Sequence, residues 1–363
     1  MSTEQPTPIL DDLEEMQAVD KRDMLRLVRE LPEQCETALG IGRSLPIEPL
    51  AFTPNVIFVT GTGSCATAAD IIVEAVCEDI STPIFSDHGG RLPSYIGENS
   101  LVFIIDYTGK SSAALSNYRD ARLRGATVIC VTGGGKLNEA AAKDGVKVVK
   151  LPLGQPVRSA IGYLFIPVIA VLEKMELLTG QVEKLSYGIR LIKNARESLR
   201  SEVQQERNVA KRAAITLSGK LSVIFGATGY RSVVAERLKM QINSNAKSAA
   251  CRSNFPDVID GAISGWEHAG SGRDKVGFVF LTDAQDKSEI ADQMSAAEKV
   301  LDGFTAINLE MKGSTNIEKL LYGIYLADFI SVYLAFLNQV DPTATEFANR
   351  IEADIAGEEQ PEV

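Results

Sequence analysis

Hydrophobic and polar positions change rhythm twice along this chain. From Ile9 to Leu31 the apolar residues Leu13, Met16, Met24, Leu27, Val28 and Leu31 recur at helical spacing among many charges, which predicts one or two amphipathic helices lying on a body. From residue 55 short β-branched runs take over. NVIFVT (55–60), PIFS (83–86), LVFIID (101–106), TVICVT (127–132) and VKVVKL (146–151) read as strands, with helical stretches after Ser64 and Ser111. Near-continuous apolar strands separated by helices belong in a parallel sheet covered on both faces. Residues 157–178 and 182–214 then read as long helices, the second increasingly charged.

At Leu221 the strand rhythm restarts. LSVIFGATGYRSVVAERL repeats the strand, glycine turn and helix of NVIFVTGTGSCATAADII about 167 residues later, a weak internal duplication. VGFVFLT (276–282) and FTAINLE (304–310) supply further strands, with helices over 288–301 and 317–337. The expected fold class is α/β: two subdomains, each a parallel sheet flanked by helices, with an N-terminal helical extension. The expected divisions are 1–44 (extension), 45–180, 181–214 (helical bridge), 215–340, and 341–363 (C-terminal helix and acidic tail).

Composition adds limits on function. The 37 basic and 48 acidic residues give a net charge of -11, which repels nucleic acid and anionic lipid. No run approaches the roughly 18 consecutive apolar residues of a spanning helix, and the N-terminus is acidic where a signal peptide is basic. A cytoplasmic protein without nucleic-acid or membrane partners is expected. Five widely spaced cysteines without a CxxC pair argue for reduced thiols, and only two histidines, His88 and His268, leave little room for a metal site. Neither a metal nor a cofactor is expected.

Chemistry is sought where strands of an open α/β sheet end. In Gly61-Thr62-Gly63-Ser64 the glycines let a ligand approach the backbone, and the hydroxyls offer donors. The same stretch through Ala66 fits GxGxxA, with Asp87 after a second strand, so an NAD-dependent dehydrogenase is a weaker alternative. A second polar loop, Asp106 to Ser112, contains TGKSS. Ile104 stands where a P-loop needs its first glycine, but Thr108, Lys110, Ser111 and Ser112 at a helix start suit a single phosphate. The competing reading is a helix capped by its own serines. Gly133-Gly134-Gly135-Lys136 reads as a strand-to-helix connection, and Trp266 as core or pocket wall.

The blocks VTGTGSCATAAD, DYTGKSSAALSNYRDARLRGATVICVTGGGKL, LGQPVRSAIGYL, and QINSNAK followed by FPDVIDGAISGWE occur in an order that resembles the double sugar isomerase (SIS) domain proteins of the bifunctional phosphoglucose/phosphomannose isomerase family. The resemblance covers roughly 50 to 350 and implies two SIS subdomains, a homodimer, no metal, a sugar phosphate at the two loops, and aldose-ketose isomerisation. By resemblance, the family's first loop falls on Gly63, Ser64 and Cys65, its Ser-Tyr-Ser-Gly-Asn-Thr loop on Asp106 to Ser111, and its Pro-Arg arginine on Arg158. A lysine near the family's C-terminus falls near Glu352.

The catalytic positions depart from that pattern. The family's glutamate falls on Ser244 and its histidine on Asp260. A serine hydroxyl without an activating partner cannot take the proton next to a carbonyl near neutral pH. Asp260, Glu267 and His268 are the candidate replacement bases, His268 by its unperturbed pKa. Asp106 stands where the family has a phosphate-binding serine. A carboxylate about 4 Å from a phosphate repels it by roughly 1 kcal/mol in water-like dielectric, offset by Lys110, or else it accepts hydrogen bonds from sugar hydroxyls. Two functions follow: a sugar-phosphate isomerase with a substitute base, or a non-catalytic sugar-phosphate sensor or partner of carbohydrate enzymes.

Overall fold

The structure is a computed structural model that describes residues 8–286 and 288–356. Two parallel sheets form its frame. In the first, β1 (Val56–Thr60) pairs with β2 (Ile84–Asp87) on one side and β3 (Ser100–Ile105) on the other, followed outward by β4 (Thr127–Thr132) and β5 (Lys147–Lys150). In the second, β6 (Leu221–Ala227) lies between β7 (Ala250–Phe255) and β8 (Val276–Thr282), with β9 (Thr305–Glu310) outside β8. Each sheet therefore reverses its strand order beside its first strand, between β1 and β3 and between β6 and β8. That reversal opens a crevice at the strand tips.

The period-two alternation of the strands sorts their side chains onto two faces. Ile57, Val59, Leu101, Phe103 and Ile105 face inward, while Val56, Phe58, Val102 and Ile104 pack outward against α5 (Ser112–Leu123) and α6 (Gly135–Lys143). Likewise Ile224, Val279 and Leu281 face inward, and Val223, Phe225, Phe278 and Phe280 pack outward, with Met294, Ala297 and Leu301 of the α11 (Glu289–Val300) region. The two inner faces share one core. It is filled by α3 (Leu31–Ser44), α4 (Ser64–Val76), α7 (Ile161–Lys174), α10 (Tyr230–Gln241) and α12 (Asn316–Leu337).

Helix α12 is apolar on every side because it runs through this shared core. By length and composition it is long and apolar enough to cross a membrane, although Asp328 and Ser331 interrupt its apolar run, and 94% of its apolar window is buried inside the protein. Helices α3 and α7 cross so closely at Gly42 that a Cβ there would lie 2.7 Å from the Pro167 carbonyl oxygen.

Other elements differ from the expected pattern at hydrogen-bonding residues. The N-terminal region breaks into a short turn (Ile9–Asp11), α1 (Leu13–Val19), α2 (Met24–Arg29) and α3. Asp12 caps α1 by accepting from the Glu14 and Glu15 N–H groups, and Asp20 accepts from Met24 and Leu25. The long helix expected over 182–214 divides into α8 (Gln181–Leu199) and α9 (Val209–Leu217), where Asn208 caps the second helix and donates back to the Leu199 carbonyl. Strand β7 was not anticipated. Its sequence, ACRSNF, lacks an apolar run because it is an edge strand with only Phe255 buried. A last helix, α13 (Glu346–Ala356), follows α12, and the expected acidic tail from residue 357 lies outside the described residues.

Candidate functional site

At the tip of β1 the chain turns through Gly61-Thr62-Gly63 into α4. Gly63 has φ +55°, a conformation that favours glycine, and it offers no side chain to cap the helix. A Cβ on Gly61 would lie 2.7 Å from that of Cys65. The Cys65 thiol is buried, and burial pushes its pKa up to about 12, so it remains protonated and unreactive at neutral pH. Ser64 is half-buried and Thr62 exposed at the loop's open side.

The neighbouring loop, after β3, is ordered by its own carboxylate. Buried Asp106 accepts the Ser111 N–H at 2.8 Å through Oδ2 and the Thr108 hydroxyl at 3.4 Å through Oδ1. The Ser111 hydroxyl in turn accepts the Ala114 N–H at 3.3 Å and caps α5. The Thr108 hydroxyl and the Ser111 N–H are thus spent as donors within the loop, the Ser111 hydroxyl accepts but keeps its own proton to donate, and Lys110 and Ser112 stay exposed. The Gly133–Gly135 turn holds the loop from behind: Gly109 has φ +70°, and a Cβ on it would come within 1.8 Å of the Gly134 carbonyl oxygen. The Gly133 N–H bonds the Tyr107 carbonyl, and the Leu137 N–H bonds that of Gly109.

Arg158 joins the two halves. Its Nε donates to Asn245 Oδ1 at 2.7 Å, and its Nη2 donates to the Pro342 and Thr343 carbonyls at 2.7 and 3.0 Å. Behind it, buried Arg237 donates to both Asp328 oxygens at 2.9 and 2.8 Å and to the Arg158 carbonyl at 2.7 Å. From the other side, the N-terminal helix α3 steadies the same segment: Gln34 donates to the Ser159 carbonyl and accepts the Gly162 N–H. The extension expected simply to pack on the body therefore also positions the segment next to Arg158.

Ser244 lies in a one-turn π-helix, Ile242–Ala246, that continues α10. Among the described residues no hydrogen bond to its hydroxyl is seen. Beyond the turn, Lys247 adopts φ +52° and folds its ammonium back onto the carbonyls of Ser244 (2.7 Å), Asn245, Asp341 and Pro342. Burial, then Arg158, lowers the Lys247 pKa to about 8. Burial, then Arg237, lowers that of Arg158 to about 10. Asp341 offsets part of both, but neither cation forms an ion pair with a carboxylate among the described residues. Sequence reasoning noticed QINSNAK yet kept only Ser244 from it; Asn245 and Lys247, which meet Arg158 or its surroundings, were missed.

Buried polar atoms without partners collect in the same neighbourhood. The Tyr107 hydroxyl, which lies near the Gln155 backbone amide, the Gln155 Nε2 and the Thr343 Oγ1 all lack a hydrogen-bond partner among the described residues. Tyr107 follows Asp106, Gln155 precedes Arg158, and the Thr343 carbonyl is an acceptor of Arg158. Buried polar groups are nearly always satisfied, so such a cluster marks a place where a polar ligand or water completes the bonding.

The proposed replacement bases stand elsewhere. Asp260 lies on the turn Val258–Ala262, and Glu267 and His268 follow Ser264–Trp266, all three exposed beyond the tip of β7. Among the described residues no hydrogen bond or ion pair links them to the loops of the first sheet or to Arg158. Trp266 meets Phe278 edge-on at 5.3 Å on the outer face of the second sheet, a core position. Glu352 falls in α13. Among the described residues no group of three or more His, Cys, Asp and Glu is arranged to hold a metal ion.

Comparison with known proteins places this geometry. Residues 206–355 match the model of the bacterial phospho-glucose isomerase C-terminal SIS domain. Over 322 residues the chain is 33% identical to the bifunctional phosphoglucose/phosphomannose isomerase of Caldicellulosiruptor bescii, covering 88% of this chain and 95% of that protein. The chain belongs to the bifunctional phosphoglucose/phosphomannose isomerase family. A second member, from Aquifex aeolicus, is 28% identical over 277 residues, covering 75% of this chain and 81% of its own. Among solved structures, the tagatose-6-phosphate ketose/aldose isomerase of Escherichia coli shares the fold, with a TM-score of 0.61 at 13% identity over 94% of this chain and 98% of that one. Within the phosphoglucose/phosphomannose isomerase family, this member has two SIS subdomains with an N-terminal helical extension, and the Arg158 corner sits where they meet.

Proposed function

We propose that the chain binds a sugar phosphate at the strand tips of its first sheet, between the loops at 61–65 and 106–112 and the corner formed by Arg158 and Lys247. The observation that carries this reading is the corner itself. The partly buried Arg158 and the more exposed Lys247, neither paired with a carboxylate among the described residues, lie near three buried polar atoms without hydrogen bonds, and a bound anion would relieve both deficits. Gly63, Ser64, Cys65, Asp106, Thr108, Lys110, Ser111, Ser112, Arg158 and Ser244 remain the proposed binding set. Thr108 contributes mainly by shaping its loop, while the Ser111 hydroxyl keeps its proton for a ligand.

The family points to aldose-ketose isomerisation, which removes a proton next to a carbonyl through an enediol and needs a positioned base. Ser244 cannot supply it, so turnover rests on Asp260, Glu267 or His268 reaching the cleft. A non-catalytic sugar-phosphate sensor is the second reading, favoured by the missing carboxylate at 244 and the distance in sequence and fold of those three groups. Incubation with fructose, glucose or mannose 6-phosphate, followed by NMR, separates the readings. Interconversion above buffer supports the isomerase; a raised melting temperature without turnover supports the sensor. Neither turnover nor a thermal shift with any of the three sugars would remove both. The same reading carries a homodimer and a cytoplasmic setting, to be checked by light scattering and fractionation. A titration with NAD that gives no signal retires the dehydrogenase alternative.

A further inference from the structure

A second recess, sharing no residue with the strand-tip cleft, lies where α1 and α2 meet the end of α8 and the flank of α12. It has a volume of about 500 Å³. Leu13, Met16 and Leu25 line its apolar side, over the rings of Phe329 and Phe336. Four cations, Lys21, Arg26, Arg29 and Arg200, reach it against two acids, Asp20 and Asp23.

Those acids are already engaged. Asp20 accepts the Met24 and Leu25 N–H groups at 2.7 and 2.8 Å, and Asp23 pairs with Arg26 at 2.7 Å. Arg26 is further bound to Glu30, and Arg200 lies 3.4 Å from Glu197. Lys21 and Arg29 form no ion pair among the described residues. On a chain of net charge -11 the lining of this recess carries more cations than acids, and two of those cations stand outside any ion pair among the described residues.

The recess is also rigidly framed. Buried Tyr333 donates to the Leu199 carbonyl at 2.6 Å, Lys211 to the Ser201 carbonyl at 2.7 Å, and Asn208 to the Arg200 carbonyl at 3.2 Å. On the opposite wall Tyr325 donates to the Arg29 carbonyl at 3.0 Å. The backbones that carry Arg29 and Arg200 are therefore fixed before any ligand arrives. A pre-formed concavity of this size, apolar on one side with convergent charge on the other, has the character of a small-molecule site.

We propose that this recess binds a small polyanion with an apolar or aromatic body, of the size of a nucleoside diphosphate: phosphoryl oxygens toward Lys21, Arg29 and Arg200, the body against Leu13, Met16 and Leu25. Calorimetric titration of the full chain with ADP tests it, with pyrophosphate as the probe that lacks a body. ADP is expected to bind, and to bind at least about tenfold more weakly to Arg29→Glu and to the Lys21→Ala/Arg29→Ala double variant. Affinity should also fall as salt rises. Neither Lys21 nor Arg29 uses its side chain in a hydrogen bond seen here, so both variants should melt with the parent, and the double variant gives a second reading if charge reversal perturbs the fold. ADP binding that is absent from the parent, or unchanged in both variants, overturns the proposal. So does binding that is lost in Arg158→Ala but kept in Arg29→Glu, which would place ADP in the strand-tip cleft. Pyrophosphate binding as tightly as ADP overturns the role given to the apolar wall. Sugar-phosphate binding in Arg29→Glu should match the parent, so failure of this site and failure of the strand-tip reading are told apart.

Discussion

The two halves of this protein end their strands in opposite ways. In the first, the crevice between β1 and β3 is bordered by a bare glycine turn, the exposed Lys110 and Ser112, and a corner whose cations bond carbonyls and an amide but, among the described residues, no carboxylate, near buried polar atoms without hydrogen bonds. In the second, the charged side chains beside the matching crevice between β6 and β8 pair with one another, around a cavity of about 160 Å³. Asp283, the residue just past β8 as Asp106 is just past β3, accepts Lys319 Nζ and the Tyr230 hydroxyl, each at 2.6 Å. Arg231 pairs with Asp286 beside it. A repeated topology has thus been finished once with cations that no carboxylate pairs and once with an ion-paired network. Crevices of the same origin hold a ligand only where their donors are left unspent.

Several substitutions would break or sharpen this contrast. The largest effect is expected from Asp328→Ala, which strands the buried Arg237 guanidinium and should cost about 3–5 kcal/mol in denaturant unfolding. Next, Arg158→Ala should weaken glucose 6-phosphate binding about tenfold to a hundredfold, in line with about 1.5–3 kcal/mol for hydrogen bonds to a charged group. Smaller, and opposite in sign, is Asp106→Ser. Removing the carboxylate that fills the loop should strengthen phosphate binding about fivefold, as expected for roughly 1 kcal/mol of repulsion. An unchanged or weaker affinity would assign Asp106 to sugar hydroxyls instead.

The smallest effect is a pH dependence. The folded Lys247 has a pKa near 8, below its ordinary 10.5, so between about pH 8 and 10.5 the unfolded chain holds the proton that the folded chain has released. Its burial therefore weighs on stability most below pH 8, and the burden lifts as pH rises through that window. An anion prefers the protonated lysine, so sugar-phosphate affinity should fall as pH passes about 8, and Lys247→Met should flatten that profile.

Most of the frame was legible because buried parallel strands leave apolar runs; 127–132 and 276–282 match β4 and β8 residue for residue. Strand β7 escaped because an edge strand needs no such run, and the break after α8 escaped because it depends on one asparagine cap. Loop positions were legible, but the partners of their side chains were not. The sequence offers Thr108 and Ser111 as phosphate donors. Only the folded loop shows that Asp106 and the α5 cap engage them. Lys247 and Asn245 became visible through contacts with segments about 90 residues away in sequence, which no local pattern encodes.

The most direct test is calorimetric titration of glucose 6-phosphate into the parent, Arg158→Ala and Asp283→Asn proteins. Binding that is weakened at least about tenfold in the Arg158 variant and retained in the Asp283 variant is the predicted result. Binding that survives loss of Arg158 but disappears with Asp283 would move the ligand to the second sheet and contradict the account.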